Sequence, residues 1–554
     1  MADQPSLTPG VPWTEIVKQK RADQSKKISE YEQTYASEPL QDSQIEAITS
    51  IDAAEDLAAS VAAKKFTAVE VAKSYIQKAI AAHKKTNCLT EVLFAEAVQQ
   101  ACELDSYLQT TGKTKGPLHG VCMTLKDQFD VTGHDTTLGY VGMSFQPAKK
   151  DALLVKILKE AGVVFIAKTN LPQSIMWCET ENPLFGLTTH PMNPNLTPGG
   201  STGGEGALLH EHGSILGWGT DIGGSVRIPA HMCGLYSLKP SSGRLPYLGC
   251  QVTTAGQEHV PSVVGPLSRS LSSLSLVTRT LLASSPWLHD PTCHRIPWDQ
   301  TLYKETQSRP LTIGLLLDDG LVRPHPPNTR ILTNLSTALQ SSGHTILPWS
   351  PENHTPLHRE AISIMDTYYL SDGCLDLKTS LALANEPPIS RVSDVLAQAL
   401  ASPSKGAPFI VPEYWALNLR KRAVQAKYLE LWNSIRDPET GRECDVLIMP
   451  VMPHSAVRHR ECKWVGYTKV WNLLDWSVVV LPAGKVEQED VEEEDETYEG
   501  RSELDSWNWG LWTKDKRNMV GLPIGIQIVG RRLEEEKVLA AAKVIEGILR
   551  GERK

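Results

Sequence analysis

Apolar residues recur at helical spacings through the N-terminal part of the chain. The segment WTEIVKQKRADQSKKISEYEQTYA carries such positions among many charges, so we predict a helical N-terminal arm over residues 1–50. The stretch SIDAAEDLAASVAAKKFTAVEVAKSYIQKAIAAHKK predicts a helix, a break near Lys65–Thr67 and a second helix that Thr67 caps. The segment LTEVLFAEAVQQACELDSYLQ is amphipathic along its whole length and predicts one further helix.

The pattern changes after the sequence GPLHG, where short apolar runs bounded by glycines begin. Val121–Val131 predicts a buried strand, ALLVKILKEAG a helix closed by Gly162, and VVFIAKTN a second strand. Later runs predict three strands (LTIGLLLDDG, CDVLIMPVMPHSA, GLPIGIQIVG) and two helices (NTRILTNLSTALQSSG, EEEKVLAAAKVIEGIL). Strands and helices in this succession are typical of an α/β sheet. We therefore predict one large α/β domain over residues 51–554 behind the arm.

One acidic segment interrupts this pattern near its end. The sequence VEQEDVEEEDETYEGRSELD, residues 486–505, has few apolar positions and predicts a solvated loop inserted into the domain. The chain of 554 residues has a formal net charge of -9 and a pI of about 6.0. This charge balance gives no basic stripe for a nucleic acid partner.

The sequence contains no segment that predicts secretion or membrane insertion. The N-terminus lacks a signal-peptide core, and no run of about 18 apolar residues predicts a spanning helix or a clear membrane anchor. The ten cysteines are scattered without a C-x-x-C pair, so neither a zinc site nor a redox motif is indicated. We therefore expect a cytoplasmic protein whose cysteines serve as small hydrophobic residues in a reducing compartment.

Two glycine-rich stretches carry the candidate chemistry, and each contains Gly-Gly-Ser. The first, PGGSTGGEG, holds Ser201, and the second, TDIGGSVRIP, holds Ser225. GGSTG fits the G-x-S-x-G pattern of a nucleophile elbow, but the three prolines of HPMNPNLTP argue against the strand that this motif needs before it. A phosphate-binding loop has little support, since no lysine follows these glycines in the required spacing.

Ser225 lies where a predicted strand gives way to a predicted helix. Ser214–Asp221 predicts the strand, and SVRIPAHM predicts a short helix after the turn. The backbone amides of Ile222, Gly223, Gly224 and Ser225 would then converge on one point, an arrangement that suits a developing oxyanion. An ordinary turn with a capping serine is the alternative interpretation.

A nucleophilic serine needs a base to take its proton. The nearby histidines have no positional reason to serve, and each is better explained as a surface or satisfied core residue: His190, His210, His212 and His231. A lysine can replace histidine where burial keeps it neutral. Lys126 ends the apolar run VCMTL, where a lysine is unusual. The alternative for Lys126 is a strand-end lysine paired with Asp127.

Taken together, these segments resemble the amidase signature family. The likeness rests on GPLHGVCMTLKDQFDVTG, on KTNLPQSIMWCETENPLFG and on PGGSTGGEGALLHEHGSILGWGTDIGGSVRIPAHMCGLYSLKPSSGRLP. Similarity in DDGLVRPHPP, YTKVWNLLDWSVVVLPAG and GLPIGIQIVGRRLEEEKVLAAA extends it over roughly residues 50–550. The N-terminal arm and YYLSDGCLDLKTSL resemble fungal acetamidase and general amidase relatives most.

The resemblance implies roles for three residues by motif position. Ser225 would be the nucleophile that forms an acyl-enzyme. Ser201, held in the family by a cis peptide bond after Gly200, would relay the proton, and Lys126 would be the base at the end of the relay. Fatty acid amide hydrolase relatives line their substrate channel at the position of Ile175.

Fold and oxyanion hole also follow from the resemblance. Family members have an α/β/α sandwich with a mixed central sheet flanked by helices, and they need no metal and no cofactor. The amides of Ile222, Gly223, Gly224 and Ser225 would form the oxyanion hole, with Ser201 beside them. Members are often dimers, so a homodimer is an open expectation here.

The implied reaction is hydrolysis of a small-molecule carboxylic acid amide to the acid and ammonia or an amine. Two alternatives stay open: an esterase or lactamase that acts on a specialised metabolite with the same triad, and a subunit of an amide-transfer complex. Cys122, His231 and Met232 depart from the residues that are usual in the family. They lie outside the triad, and they weaken any transfer of substrate preference.

Overall fold

A mixed sheet of eleven strands forms the centre of the protein, whose computed structural model describes residues 10–492 and 497–551. The strands, including a separate two-stranded hairpin of β4 and β5, are β1 Leu89–Val92, β2 Cys122–Lys126, β3 Val164–Thr169, β4 Glu181–Asn182, β5 Gly186–Leu187, β6 Leu216–Asp221, β7 Tyr236–Lys239, β8 Val263–Ser268, β9 Thr312–Leu315, β10 Thr345–Pro348, β11 Val446–Pro450, β12 Val478–Lys485 and β13 Pro523–Val529.

The described residues also form nineteen α-helices that flank the sheet. They are α1 Trp13–Tyr35, α2 Asp42–Thr49, α3 Ala54–Ala62, α4 Ala68–Thr86, α5 Phe94–Thr111, α6 Leu153–Glu160, α7 Gly203–His210, α8 Arg227–Cys233, α9 Leu271–Ala283, α10 Gln300–Gln307, α11 Pro326–Ser341, α12 Pro351–Tyr369, α13 Leu375–Ala382, α14 Ser390–Ala401, α15 Val411–Ser434, α16 Gly466–Leu473, α17 Gln488–Glu492, α18 Glu503–Met519 and α19 Glu535–Leu549.

The strand order across the sheet is β1-β3-β2-β6-β8-β7-β12-β13-β11-β9-β10. β2 lies between β3 and β6 and is parallel to both. Antiparallel pairs from β6 to β11 connect this part to a second parallel set formed by β11, β9 and β10. The predicted mixed sheet flanked by helices is therefore confirmed.

The strands that carry the site are buried along their full length. Every residue of β2, β3 and β6 is buried, as is typical of parallel strands covered on both faces. Helices α4, α5 and α7 pack on this part of the sheet. Because β2 and β6 run parallel as neighbours, their carboxyl ends, Lys126 and Asp221, meet at the same edge of the sheet.

One predicted helix begins later than its sequence pattern suggested. Leu89–Val92 forms the edge strand β1, which pairs antiparallel with β3, and helix α5 begins only at Phe94. All four residues of β1 are buried. These residues form a strand and not the predicted helix, because pairing with β3 and burial of their side chains outweigh the amphipathic helical pattern.

The other predicted elements around the site are confirmed, including the cap at Thr67. The Thr67 hydroxyl accepts a hydrogen bond from the Glu70 amide at 3.0 Å, and the Glu70 carboxylate accepts one from the Thr67 amide at 2.8 Å. This reciprocal capping box fixes the start of α4. The strands and helices predicted from Val121 onward are present as β2, α6, β3, β6, α8, β9, α11, β11, β13 and α19.

Helix α1 is attached to the rest of the protein by a buried cation. The Nζ of Lys20 lies 2.5 Å from Glu91 Oε1 and 2.5 Å from Asp135 Oδ2. The Gln24 side chain also donates to the backbone carbonyl of Leu89 in β1 at 2.9 Å. The arm thus contacts the edge of the central sheet, and its boundary at residue 50 stays a prediction.

The acidic segment 486–505 differs from the predicted solvated loop at both ends, while residues 493–496 lie outside the described part. Asp490 in α17 is buried and accepts hydrogen bonds from Arg330 at 2.6 and 2.7 Å. Asp505 in α18 is also buried and accepts a hydrogen bond from the Arg323 amide at 2.7 Å. The partners of these carboxylates are far away in sequence, so charge density alone did not predict their burial.

All ten cysteines are unpaired thiols, and nine of them are buried. The tenth, Cys102, is exposed on helix α5. The expectation of buried, unpaired cysteines is therefore confirmed at every position except Cys102.

Among the helices of the described ranges, none has the length and apolar character needed to cross a membrane.

Candidate active site

Lys126 is the buried cation around which the site is built. Its Nζ lies 2.7 Å from the Oγ of Ser201 and 3.1 Å from the Oγ1 of Thr220. The side chain has no exposed surface, and burial lowers the pKa of its ammonium group to about 7. The position at the end of β2 therefore holds an amine that loses its proton near neutral pH.

The alternative in which Lys126 pairs with Asp127 is not found. The Asp127 carboxylate instead accepts hydrogen bonds from the backbone amides of Thr137 at 2.8 Å and Leu138 at 2.9 Å. A hydroxyl donor, Thr90 Oγ1, lies 3.2 Å from its other oxygen. Asp127 thus anchors the loop that follows β2. The Lys126 amine instead contacts the hydroxyl groups of Ser201 and Thr220.

Ser201 is placed by the first glycine stretch, ahead of helix α7. Its residue surface is 2 % exposed, and the peptide bond from Gly200 to Ser201 is cis. A side chain at Gly200 would place its Cβ 2.4 Å from the carbonyl oxygen of Glu179, so only glycine fits there. The close approach of these two segments fixes the Ser201 hydroxyl against Lys126.

Ser225 lies between β6 and α8, beside the first glycine stretch. Its carbonyl oxygen accepts a hydrogen bond from the Thr202 amide at 3.2 Å, which connects the two Gly-Gly-Ser segments. The residue is 9 % exposed and lines the large cavity described below. Within the described ranges, its hydroxyl makes no hydrogen bond. The structure therefore joins Lys126 directly to Ser201, and joins Ser225 to this pair through the backbone.

The four amides expected to form an oxyanion hole divide into two groups. The Gly224 amide donates to Asp221 Oδ1 at 2.8 Å, so its hydrogen already has an acceptor. The amides of Ile222, Gly223 and Ser225 have no acceptor among the described residues. The Gly224 N–H is thus already bonded to the carboxylate of the preceding strand, and the oxyanion hole itself stays a prediction.

A buried ion pair behind Ser225 holds this loop in place. The guanidinium of Arg227 donates to both oxygens of Asp221, at 2.9 and 3.0 Å, and both side chains are fully buried. Asn472 donates to the same carboxylate at 2.8 Å, and Arg227 donates to the Thr468 carbonyl at 2.9 Å. Although burial opposes ionisation, these partners, with Arg227 the strongest, lower the pKa of the Asp221 carboxyl to about 2.

Two hydroxyl groups hold the backbone carbonyls of this loop. Thr468 Oγ1 donates to the Gly223 carbonyl at 2.6 Å, and the Tyr369 hydroxyl donates to the Ile222 carbonyl at 3.3 Å. These two hydrogen bonds hold the carbonyl groups of the Ile222–Gly223 and Gly223–Gly224 peptide units in place. Sequence reasoning missed this support. In the sequence, Asp221 and Arg227 stand out as charged residues inside a glycine-rich buried segment. Nothing in the sequence pattern marks Thr468 or Tyr369.

The loop that holds Ser225 opens on a cavity of about 430 Å³. Ser225, Gly223, Ile222 and Gly200 form part of its wall. Ile175 also lines it, as predicted, and is buried with a backbone φ of 59°. A positive φ is strained for a β-branched residue. The Ile175 side chain packs in a buried apolar cluster with Leu138 and Leu171 and borders the cavity there.

The histidines near the two serines are all tied to backbone carbonyls. His190 contacts the Met232 carbonyl at 2.9 Å, and His231 contacts the His454 carbonyl at 2.9 Å. His210 and His212 contact the carbonyls of Cys233 and Thr49 at 2.9 and 3.0 Å. Their interpretation as satisfied structural residues is confirmed.

Within the described ranges, no three His, Cys, Asp or Glu side chains are grouped so that they could hold a metal ion.

Comparison with known proteins identifies the family. The Amidase family model matches residues 70–539. The chain belongs to the Amidase family. It is similar to Amidase 1 of Gibberella moniliformis, with 45% identity over 540 residues that cover 97% of this chain and 99% of that protein. It is also similar to Acetamidase of Emericella nidulans, with 36% identity over 97% of this chain and 98% of that protein.

A solved structure agrees in fold. The structure of a fatty acid amide hydrolase superposes with a TM-score of 0.82 and 30% sequence identity, covering 98% of this chain and 91% of that one. The amidase signature resemblance is thereby confirmed, and so is the predicted α/β fold. The protein is a hydrolase that acts on C–N bonds.

Proposed function

We propose that the protein hydrolyses a carboxylic acid amide through an acyl-enzyme on Ser225. The observation that carries this proposal is the buried contact of 2.7 Å between Lys126 Nζ and Ser201 Oγ, beside the Ser225 loop. An amine with a pKa of about 7 is present in its neutral form near neutral pH and can accept a proton. Relatives named amidase and acetamidase support an amide as the substrate.

In the first half of the reaction, Ser225 Oγ attacks the amide carbonyl carbon. Its proton passes to Ser201 Oγ, while the Ser201 proton passes to the Lys126 amine. The contact between the two serine hydroxyls closes when substrate occupies the cavity, as catalytic hydrogen bonds commonly do. The negative charge moves to the carbonyl oxygen and is stabilised by the amides of Ile222, Gly223 and Ser225.

The C–N bond then breaks, and the proton held by Lys126 returns through Ser201 to the leaving nitrogen. Ammonia or an amine departs and leaves an ester between the acyl group and Ser225. In the second half, water attacks that ester, gives its proton to the same relay and releases the acid, which restores the Ser225 hydroxyl. Every proton taken up by Lys126 is returned within the cycle.

The proposal is tested by Ser225→Ala. This variant should hydrolyse no amide and should not be labelled by a fluorophosphonate probe, whereas Ser268→Ala, a buried serine of β8, should keep both properties. Full activity without Ser225, or labelling at another residue, would contradict the proposal. An amide and its matching ester should be compared, because hydrolysis of the ester alone would instead assign an esterase.

We further propose a cytoplasmic location, since ten unpaired thiols suit a reducing compartment. Separation of cell fractions with an antibody to the chain tests this, and recovery in the secreted fraction would contradict it. The family resemblance leads us to expect a homodimer. Light scattering of the purified protein tests this oligomeric state.

A further inference from the structure

The cavity at Ser225 is much larger than a small aliphatic amide requires. Its volume of about 430 Å³ falls in the range of about 300–1,000 Å³ that is usual for sites of drug-sized ligands. Acetamide carries only a methyl group on its carbonyl carbon and would leave most of this space to water. The size of the cavity therefore favours an amide with a bulky substituent.

The wall of the cavity is mainly aromatic and aliphatic. Trp177, Tyr368 and Trp464 present rings to it, and Met365 and Val395 add aliphatic surface. The Tyr368 ring is held by stacking on His259, with ring centroids 4.3 Å apart. A wall of fixed rings and aliphatic groups binds apolar bodies through burial of their surface.

The positive charges along the cavity are already engaged. Lys469 Nζ lies 2.5 Å from Asp366 Oδ1, and Arg391 pairs with Asp394 at 3.1 Å while its guanidinium stacks 4.6 Å from the Trp177 ring. These pairs and the stacking contact neutralise or shield both cations. A further cation, the Nζ of Lys463, lies over the ring of Trp507, 3.3 Å from its centroid.

Two carboxylates at the start of α13 contrast with these cations. Asp372 accepts hydrogen bonds from the backbone amides of Cys374 at 2.9 Å and Asp376 at 3.0 Å. Asp376 itself lines the cavity, and its Oδ2 is shielded from solvent without a hydrogen-bond partner. Within the described ranges, neither carboxylate has a cation within ion-pair distance. Burial and the neighbouring Asp372 raise the pKa of the Asp376 carboxyl. This part of the wall therefore disfavours additional negative charge and presents a carboxyl group to whatever fills the cavity.

We infer that the substrate is an amide with an apolar aryl-alkyl body and, at the end that reaches Asp376, an uncharged or cationic hydrogen-bond donor. This inference rests on the proposed function, because it names the substrate class of the same site. Apolar burial against the rings supplies binding, and Asp376 selects against an anionic end group. A carboxylate there would meet like charge in a poorly solvated place.

A matched series of primary amides tests the substrate class: acetamide, 3-phenylpropanamide, and its para-aminomethyl and para-carboxy derivatives, with Ser225→Ala as the blank. We expect kcat/KM for 3-phenylpropanamide to exceed that for acetamide by about 100-fold. The aminomethyl compound should exceed the carboxy compound by about tenfold, and Asp376→Asn should reduce that ratio to about twofold.

A second variant tests whether the body of the substrate occupies the cavity. Val395→Trp should lower kcat/KM for 3-phenylpropanamide by about tenfold or more and reduce its advantage over acetamide. Leu400→Trp is the matched control, because Leu400 lies on the same helix with 64 % of its surface exposed. It should leave the ratio between the two substrates unchanged.

The outcomes separate this inference from the function on which it rests. Ser225-dependent turnover of acetamide in preference to 3-phenylpropanamide would overturn the inference and leave the proposed amidase function standing. Preference for the carboxy compound, or a charge preference that Asp376→Asn does not change, would also overturn it. If no amide is hydrolysed and the fluorophosphonate probe does not label Ser225, the proposed function fails and the inference falls with it.

Discussion

The Nζ of Lys126 and the Oγ of Ser201 lie 2.7 Å apart although 75 residues separate them in the chain. The contact forms because β2 ends at Lys126 on the same edge of the sheet from which α7 begins. Thr220, near the end of the neighbouring strand β6, places its hydroxyl 3.1 Å from the same Nζ. One buried amine therefore connects three segments of the site.

Turnover should rise as the pH increases through about 7. Burial lowers the pKa of Lys126 to about 7, so below that pH the ammonium cannot take the Ser201 proton, and above it the amine can. The measurement is kcat/KM for one amide between about pH 5 and pH 9, which reports on the free enzyme. A flat profile, or a rise that begins only in the ordinary titration range of lysine, would contradict this assignment.

Lys126→Met should reduce kcat by about 10²–10⁴-fold, the usual contribution of a positioned base. The thermal unfolding midpoint should change little, because methionine replaces an amine whose burial is unfavourable to its charge. The matched control is Lys239→Met, since Lys239 is equally buried at the end of β7 but donates to the carbonyls of Pro240 and Trp476. Equal losses of kcat in the two variants would show that Lys126 acts only through the fold.

Thr468→Val should lower kcat by up to about tenfold, since it removes the hydrogen bond of 2.6 Å that holds the Gly223 carbonyl. Thr468→Ser keeps the hydroxyl and should retain most of the activity. The loss should appear in kcat more than in KM if, as proposed, the loop amides stabilise the oxyanion and not the bound amide. A change confined to KM would argue that Thr468 contributes to substrate binding instead.

Lys20→Met should destabilise the protein by about 3–5 kcal/mol, as expected when one partner of a buried ion cluster is removed. The change leaves Glu91 and Asp135 buried without the cation that lies 2.5 Å from each. Lys18→Met is the control in the same helix, because the Lys18 side chain is 78% exposed and should contribute little. Denaturant unfolding measures the stability of both variants, and equal unfolding midpoints would contradict the role assigned to Lys20.

The sequence predicted those parts of the structure in which local pattern and global fold agree. The buried strand ending at Lys126 and the turn before Ser225 followed from apolar runs and glycines within single short segments. The edge strand β1 did not, because pairing with β3 overrides an amphipathic helical pattern. The roles of the triad residues came from the family resemblance, and they stay proposals to be tested as described.

The parts of the site that escaped prediction are contacts between distant segments. Asp221 takes the amide of Gly224, and no pattern along the chain reveals which acceptor a loop amide will meet. Thr468 reaches the same loop from 245 residues away, through the packing of α16 against the sheet. Such contacts depend on side-chain positions in three dimensions, which periodicity and composition do not specify.

The distribution of cysteines gives the folded protein a single accessible thiol. Cys102 lies on the surface of α5, while the other nine are buried. A maleimide dye should therefore attach at one known position, which suits fluorescence or single-molecule work without mutagenesis. The rate at which the enclosed thiols become reactive then reports how often the interior opens.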